Sequence, residues 1–172
     1  MADDIDILDG LTMEEKSDFL EFQKRVEGTN INRNTLLATD YLNHFNEIVM
    51  TLDMIPMMPE LLEEAKAWKP KTYAEHFRDS TFSDRELAIE AYKHVPKKFR
   101  IAFERTITQM AHIVAAAISR VEKELEAGNP GPLQESVSAA TQMLQKLTDH
   151  ASAIIHGSEK TMDQSAIDNF LG

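Results

Sequence analysis

Two segments in the last third of the chain place apolar residues alternately four and three positions apart. The apolar positions of the first segment are Phe103, Ile107, Met110, Val114, Ala117 and Val121. Those of the second, which follows a turn at 128–132, are Leu133, Val137, Ala140, Leu144, Leu147, Ala151 and Ile154. This spacing is typical of helices that pack along a common seam. It predicts a long antiparallel helical hairpin over residues 97–157.

Shorter helical patterns occupy the chain before the hairpin. Thr12 and Glu15 form a capping-box pattern that predicts a helix to about Val26. A second helix is predicted from apolar positions three to four residues apart, which are Leu37, Tyr41, Phe45, Ile48, Leu52 and Ile55. Three short helices should follow: one through 61–68, one opened by a box at Thr72, and one over 84–94 opened by a box at Ser83.

No strand-like alternation bounded by turns is present, so the predicted fold class is all-α, a helical bundle built on the hairpin. The predicted parts are an acidic N-terminal tail over 1–11, the bundle over 12–157, and a linker with a docking peptide over 158–172. The last part is amphipathic but too short to form a stable helix alone. A peptide of this kind suits docking in a groove on a partner protein. The alternative is a tail that folds back on its own bundle.

The hairpin pattern also bears on assembly. Two helices with heptad seams cannot bury all of their apolar surface against each other. Either the earlier helices or a second copy of the chain should cover the rest. A homodimer is therefore predicted, with an intramolecular bundle as the alternative.

Composition and charge indicate which partners are disfavoured and in which compartment the protein is expected. The 172 residues carry a net charge of −11, which disfavours nucleic acid and anionic membrane surfaces as partners. There is no cysteine, so disulfides, thiolate zinc sites and cysteine nucleophiles are excluded, and a reducing, cytoplasmic location is expected. The first ten residues lack a signal-peptide pattern, and no run approaches the roughly 18 apolar residues that span a bilayer.

The last ten residues, DQSAIDNFLG, carry a family resemblance. They resemble the peptide by which the flagellar switch protein FliM engages the receiver CheY, with Asp163 and Phe170 replacing the usual Ser and Leu. The chemotaxis phosphatase family CheZ ends in a comparable helix. The resemblance implies a CheY-like receiver as the partner. The implied interface residues are Gln164, Ile167, Asp168, Phe170 and Leu171, in which the apolar three fill a groove and the acid pairs with a basic residue.

The whole layout is similar to that of CheZ, in which a linker joins the peptide to a hairpin that dimerises into a four-helix bundle. This similarity implies a phosphatase acting on the receiver. The family's catalytic Asp and Gln lie four residues apart on the second hairpin helix, within a sequence resembling residues 142–150 here. Lys146 and His150 occupy those two positions. The family chemistry is therefore not inherited residue by residue.

The residues themselves offer another way to perform the same chemistry. Hydrolysis of an aspartyl phosphate chiefly requires a group that orients a water in line with the phosphorus. Gln142 or Gln145 has the necessary amide, and Gln145 shares a helix face with Asp149 one turn later. Gln142, Gln145 and Asp149 are the candidate catalytic residues. The alternative is that they are polar residues on the solvated flank of the helix.

Histidine suggests a third function. His44 lies on a helix and is the best candidate for a phosphorylatable histidine, as in phosphotransfer bundles, although a half-buried histidine bonded to a carboxylate is the alternative. No Glu-x-x-His motif is present, and neither a metal nor a cofactor is predicted. The leading hypothesis is a CheZ-like regulator of a CheY-like receiver. The alternatives are a non-catalytic helical adaptor and a phosphotransfer protein.

Two further segments are candidate binding surfaces. Residues 4–10 have an Ile-Asp-x-Leu character similar to the other end of the chain, which makes them a candidate second docking peptide. Met50, Met54, Met57 and Met58 form a methionine-rich run, for which core packing is predicted over a binding surface.

Overall fold

Helices make up the regular structure of residues 7–158 and 162–172, which are the residues that the computed structural model describes. In chain order they are α1 (Met13–Arg25), a 3-10 helix (Thr39–Leu42), α2 (Asn43–Met54), α3 (Leu61–Ala67), α4 (Tyr73–Asp79), α5 (Arg85–Tyr92), α6 (Lys97–Ala127), α7 (Pro130–Ile155) and α8 (Gln164–Leu171). Residues 7 and 8 are also helical. The predicted all-α fold class is confirmed.

Local capping explains where two of the helices begin. Thr12 Oγ1 accepts a hydrogen bond from Glu15 N–H at 3.1 Å, and Glu15 Oε2 accepts one from Thr12 N–H at 2.8 Å. Thr72 caps α4 by accepting one hydrogen bond from Glu75 N–H at 3.2 Å. Both predicted starts are confirmed. The box predicted at Ser83 is wrong, because Asp84 is the residue that precedes α5 and its side chain makes no capping bond.

The second predicted helix begins later than the apolar pattern indicated. Asn32 Oδ1 accepts hydrogen bonds from Asn34 N–H and Thr35 N–H, and Leu36 has a φ of 63°. These bonds close a loop over residues 32–35, just before the pattern's first apolar position, and Asn32 N–H also donates to the Leu37 carbonyl oxygen at 2.9 Å. Leu37 lies in this loop and not in a helix, and its apolar side chain is fully buried.

The hairpin begins at the predicted residue, ends at Ile155 and not at 157, and has a shorter turn than predicted. Gly128 adopts a φ of 72°, the left-handed conformation that commonly ends a helix. Pro130 and Pro132, predicted to lie in the turn, belong to the first turn of α7. Proline is tolerated there because the first N–H groups of a helix have no carbonyl partner within it.

Two compact units divide the described chain. The first comprises residues 7–41, 71–104 and 152–158. Its core is aromatic, since Tyr41 contacts both Tyr73 and Phe103 with ring centroids 5.4 and 5.6 Å apart. Phe77 packs on Tyr73 at 4.7 Å. The Tyr73 hydroxyl accepts a hydrogen bond from Ala38 N–H at 2.8 Å, which satisfies a polar atom inside this core.

The second unit comprises residues 42–70, 105–151 and 162–172. Here α6 and α7 pack against each other along the predicted seam. Its buried positions are Met110, Val114, Ala117, Val121, Leu133, Val137, Ala140, Leu144 and Leu147, whereas Ile107 is half-buried. These seam side chains are covered within one chain, so the seam does not itself require a second copy. Dimerisation stays a prediction.

The methionine-rich run does not pack in the core. On α2 the buried positions are taken by Phe45, Ile48 and Leu52. Met50 and Met57 are 66% and 89% exposed, and Met54 and Met58 are also exposed. The prediction of core packing is wrong, because the run lies on the helix side opposite the buried stripe.

The buried hydroxyl of Thr35 allows a test of what stabilises the first unit. Its side chain is fully buried and its hydroxyl donates to the Ile155 carbonyl oxygen at 2.6 Å while accepting from Leu37 N–H. Thr35→Val should lower the free energy of unfolding by about 1–3 kcal/mol, because a buried carbonyl and a buried N–H lose their partner. Urea denaturation measures this. The control is Thr51→Val, whose hydroxyl bonds its own helix at the surface and whose loss should cost little.

Candidate functional site

The last helix, α8, is the segment that the family resemblance singled out. Asp163 precedes it, and the carboxylate accepts a hydrogen bond from Ser165 N–H at 3.1 Å, which caps the helix. Ile167 is 0% exposed, Phe170 and Leu171 are half-buried, and Gln164 and Asp168 are exposed. One side of α8 is therefore apolar and the other polar, as the resemblance required.

The same helix is seated on the chain's own second unit. Gln109 Nε2 donates a hydrogen bond to Gln164 Oε1 at 3.0 Å. Arg120 Nη2 donates to the Phe170 carbonyl oxygen, and its guanidinium carbon lies 5.0 Å from the centre of the Phe170 ring. The sequence favoured a peptide attached only through a flexible linker. The structure differs because α6 supplies both a polar partner and a cation for it.

Gln109 and Arg120 were missed as functional residues. They lie eleven positions apart on α6, which places them on the same side of the helix after about three turns. Neither is apolar, so the seam pattern did not include them. Gln109 is 3% exposed, and its Oε1 atom has no hydrogen-bond partner among the residues that the structure describes, so burying this amide costs free energy. Residues 159–161 of the predicted linker lie outside the described residues.

The seating of α8 should depend on pH through Asp163. The Ser165 backbone N–H, the Ser165 side chain and the charge of Arg105 lower the pKa of Asp163. A lowered pKa means that the carboxylate stabilises the capped helix above the ordinary aspartate pKa, and that this stabilisation is lost as pH falls through the lowered value. The Ile167 methyl NMR signal should therefore move toward its free position in acid. Asp163→Asn keeps the cap but should reduce that pH dependence.

The candidate catalytic residues lie on the part of α7 in the second unit. Gln145 Nε2 donates a hydrogen bond to Asp149 Oδ1 at 3.1 Å, so the structure brings this amide and acid together. Both are exposed, as are Gln142 and Lys146, and His150 is half-buried. An exposed amide beside an acid is available to a docked receiver. It is equally what the solvated-flank alternative predicts.

No protein-family model, curated protein or solved structure matches this chain.

His44 lies in a setting that disfavours phosphotransfer. It is 7% exposed, its Nε2 is hydrogen-bonded to the Lys69 carbonyl oxygen, and its ring stacks on Trp68 at 4.6 Å. Its Nδ1 lies 3.7 Å from the Glu47 carboxylate. A phosphoryl acceptor needs a ring nitrogen that a partner can reach. The alternative, a half-buried histidine bonded to a carboxylate, differs in two respects: His44 is more deeply buried, and its hydrogen bond goes to a backbone carbonyl.

Three other candidate features are a metal site, a membrane-spanning helix and the N-terminal docking peptide. Within residues 7–158 and 162–172, no group of three or more histidine, aspartate or glutamate side chains is arranged to hold a metal ion. Over the same residues, no helix combines the length and the apolar character needed to cross a membrane. Residues 4–6 of the candidate N-terminal docking peptide lie outside the described part of the chain, while Ile7 and Leu8 are half-buried.

Proposed function

We propose that this protein is a chemotaxis-type regulator that binds a CheY-like receiver through α8. The observation that supports the proposal is α8 itself, a capped amphipathic helix with Ile167 at the centre of its apolar side. Helices of this kind bind by placing an apolar side in a groove, and an eight-residue helix gains its stability from that contact. On the receiver, Ile167, Phe170 and Leu171 fill the groove, and Asp168 meets a basic residue.

The proposal requires α8 to exchange one groove for another. Ile167 is buried on the chain's own second unit and would be buried again on the receiver. The two sites compete, so the apparent affinity for the receiver is reduced by the fraction of chains in which α8 is released. The contacts of Gln109 and Arg120 set that fraction. The proposal thus makes the intramolecular seating a regulator of docking.

The second part of the proposal is that α7 accelerates loss of the receiver's phosphate. Gln142 and Gln145 are exposed amides that can orient a water in line with the phosphorus. Asp149 holds the Gln145 amide in the free protein and would turn to a basic group of the docked receiver. We also propose a cytoplasmic homodimer, as the similarity to the CheZ layout implies.

A non-catalytic adaptor is the second candidate function. Lys146 and His150 stand where the resembling family has its catalytic Asp and Gln, which favours binding without chemistry. A receiver carrying radioactive phosphate distinguishes the candidates. Faster release of phosphate in the presence of this protein supports the phosphatase, and an unchanged rate with measurable binding supports the adaptor. Transfer of label to this protein would support phosphotransfer through His44, and neither binding nor rate change would overturn the proposal.

A further inference from the structure

An exposed methionine stripe runs along one side of the second unit. Met50, Met54, Met57 and Met58 are spaced four, three and one residues apart. The backbone keeps its helical turns past the end of α2, because Met57 N–H and Met58 N–H both donate to the Met54 carbonyl oxygen, at 3.1 and 2.9 Å. The four side chains therefore follow one side of a continuous helical path.

The helix that carries this stripe is apolar on two sides, and the side opposite the methionines is the one buried in the core. Ile48, Leu52 and Ile55 pack in the core, with 1%, 0% and 0% of their surface exposed. The helix thus presents a second apolar side that its own core does not use. Clustered exposed apolar side chains on a soluble protein commonly mark an interaction surface. Methionine is well suited to one, because its unbranched thioether adapts to differently shaped partners.

The charge around the stripe indicates the chemistry of the partner. The exposed acidic residues of this stretch are Glu47, Asp53, Glu60, Glu63 and Glu64. No Lys or Arg occurs in the sequence between Arg33 and Lys66. Asp53 lies between the methionines, and Glu60 follows them directly. The apolar stripe therefore carries an acidic border, which attracts cationic partners and repels anionic ones.

We propose that the methionine stripe along α2 and the turn after it, with its acidic border, binds a basic amphipathic helix of a partner protein. The apolar side of that helix would lie on the four methionines, and its Lys or Arg residues would face the carboxylates of Asp53 and Glu60, which flank them in the sequence. A second copy of this chain fits less well, since pairing the same surface of two copies would oppose like charges. The inference does not depend on receiver binding by α8, because it uses different residues.

The test uses the full chain with methyl-labelled methionine and a synthetic Leu/Lys peptide of helical period. We expect the methyl NMR signals of Met50, Met54, Met57 and Met58 to shift on titration. Met13 is 88% exposed beside Glu14 and Glu15, and its signal should stay unchanged. A peptide of the same composition in scrambled order controls for charge alone. Shifts centred elsewhere, or equal binding of the scrambled peptide, would overturn the inference.

Matched variants test the two components separately. The double variant Met54→Gln, Met57→Gln should weaken peptide binding by about tenfold or more, as loss of central apolar contacts does. Met13→Gln should have no effect. Asp53→Asn with Glu60→Gln should weaken binding at low salt and reduce its dependence on salt. The inference fails if Met13→Gln weakens binding as much as the double variant. It also fails if sedimentation shows that the stripe instead joins two copies of this chain.

Discussion

In a chain that carries Arg120→Ala, which removes contacts that seat α8 on α6, Ile167→Ala should weaken binding of the phosphorylated receiver by roughly 1–3 kcal/mol, or about 5- to 150-fold in the dissociation constant. Ile167 is the one apolar side chain of α8 that is wholly buried on the chain's own helices. Its shape and position make it the central anchor in any groove that α8 enters. Removing its branched end leaves a cavity at the middle of that interface. Isothermal titration calorimetry with the receiver held in its phosphorylated form measures the loss.

The control for this variant is Met162→Ala. Met162 lies just before the cap of α8, is half-buried, and is outside the predicted interface. It should leave the dissociation constant nearly unchanged. If the variant with both Ile167→Ala and Arg120→Ala binds the receiver as tightly as Arg120→Ala alone, α8 is not the docking element.

Replacing both Gln142 and Gln145 by Ala should slow receiver dephosphorylation by about 10²-fold if this protein is a phosphatase, the scale expected for a group that positions the reacting water. Binding through α8 should be retained, because neither glutamine belongs to that helix. The measurement is single-turnover release of phosphate from a labelled receiver at saturating protein. Gln134→Ala is the matched control, since Gln134 is exposed on the same helix and bonds Ser138 instead.

The role of Asp149 follows from the same experiment. Its carboxylate accepts the Gln145 amide hydrogen bond in the free protein. Asp149→Asn removes the charge with little change in shape, so turnover should fall more than affinity. If the double glutamine variant dephosphorylates the receiver at the wild-type rate, α7 is a scaffold and the adaptor function replaces the phosphatase.

The hairpin could be predicted because its side chains bury apolar surface along a regular seam. A helix that buries one side has apolar residues at regular three- and four-residue spacing in its sequence. This spacing marks α6 and α7, which run from Lys97 to Ala127 and from Pro130 to Ile155. Thr12 and Thr72 could be predicted because a capping box is a local arrangement of four residues. Both signals are contained in short stretches of sequence.

The seating of α8 could not be predicted in this way. It depends on Gln109 and Arg120, which contact residues 55 and 50 positions later through polar atoms. A pattern of apolar positions carries no signal for such contacts. The start of α2 was misplaced for a related reason, because Asn32 N–H donates to the Leu37 carbonyl oxygen and holds Leu37 in the loop, and Thr39–Leu42 form a 3-10 helix before α2 begins.

The pattern of apolar positions also could not predict that the methionine stripe is exposed. Apolar residues lie on both sides of α2, and periodicity alone does not indicate which side faces the core. Ile48 and Leu52 take the buried side. The more flexible methionines are left at the surface.

The most direct test of the account is the receiver affinity of Arg120→Ala. Arg120 belongs to α6 and holds Phe170 by a hydrogen bond to its carbonyl oxygen and by a cation over its ring. These contacts stabilise only the intramolecular seating of α8. Their loss should release α8 and tighten receiver binding by about 5- to 30-fold, given roughly 1–2 kcal/mol for the two contacts together. Lys123→Ala, an exposed cation on the same helix, should leave affinity unchanged. Receiver binding that is weaker than or equal to wild type in Arg120→Ala would contradict the account.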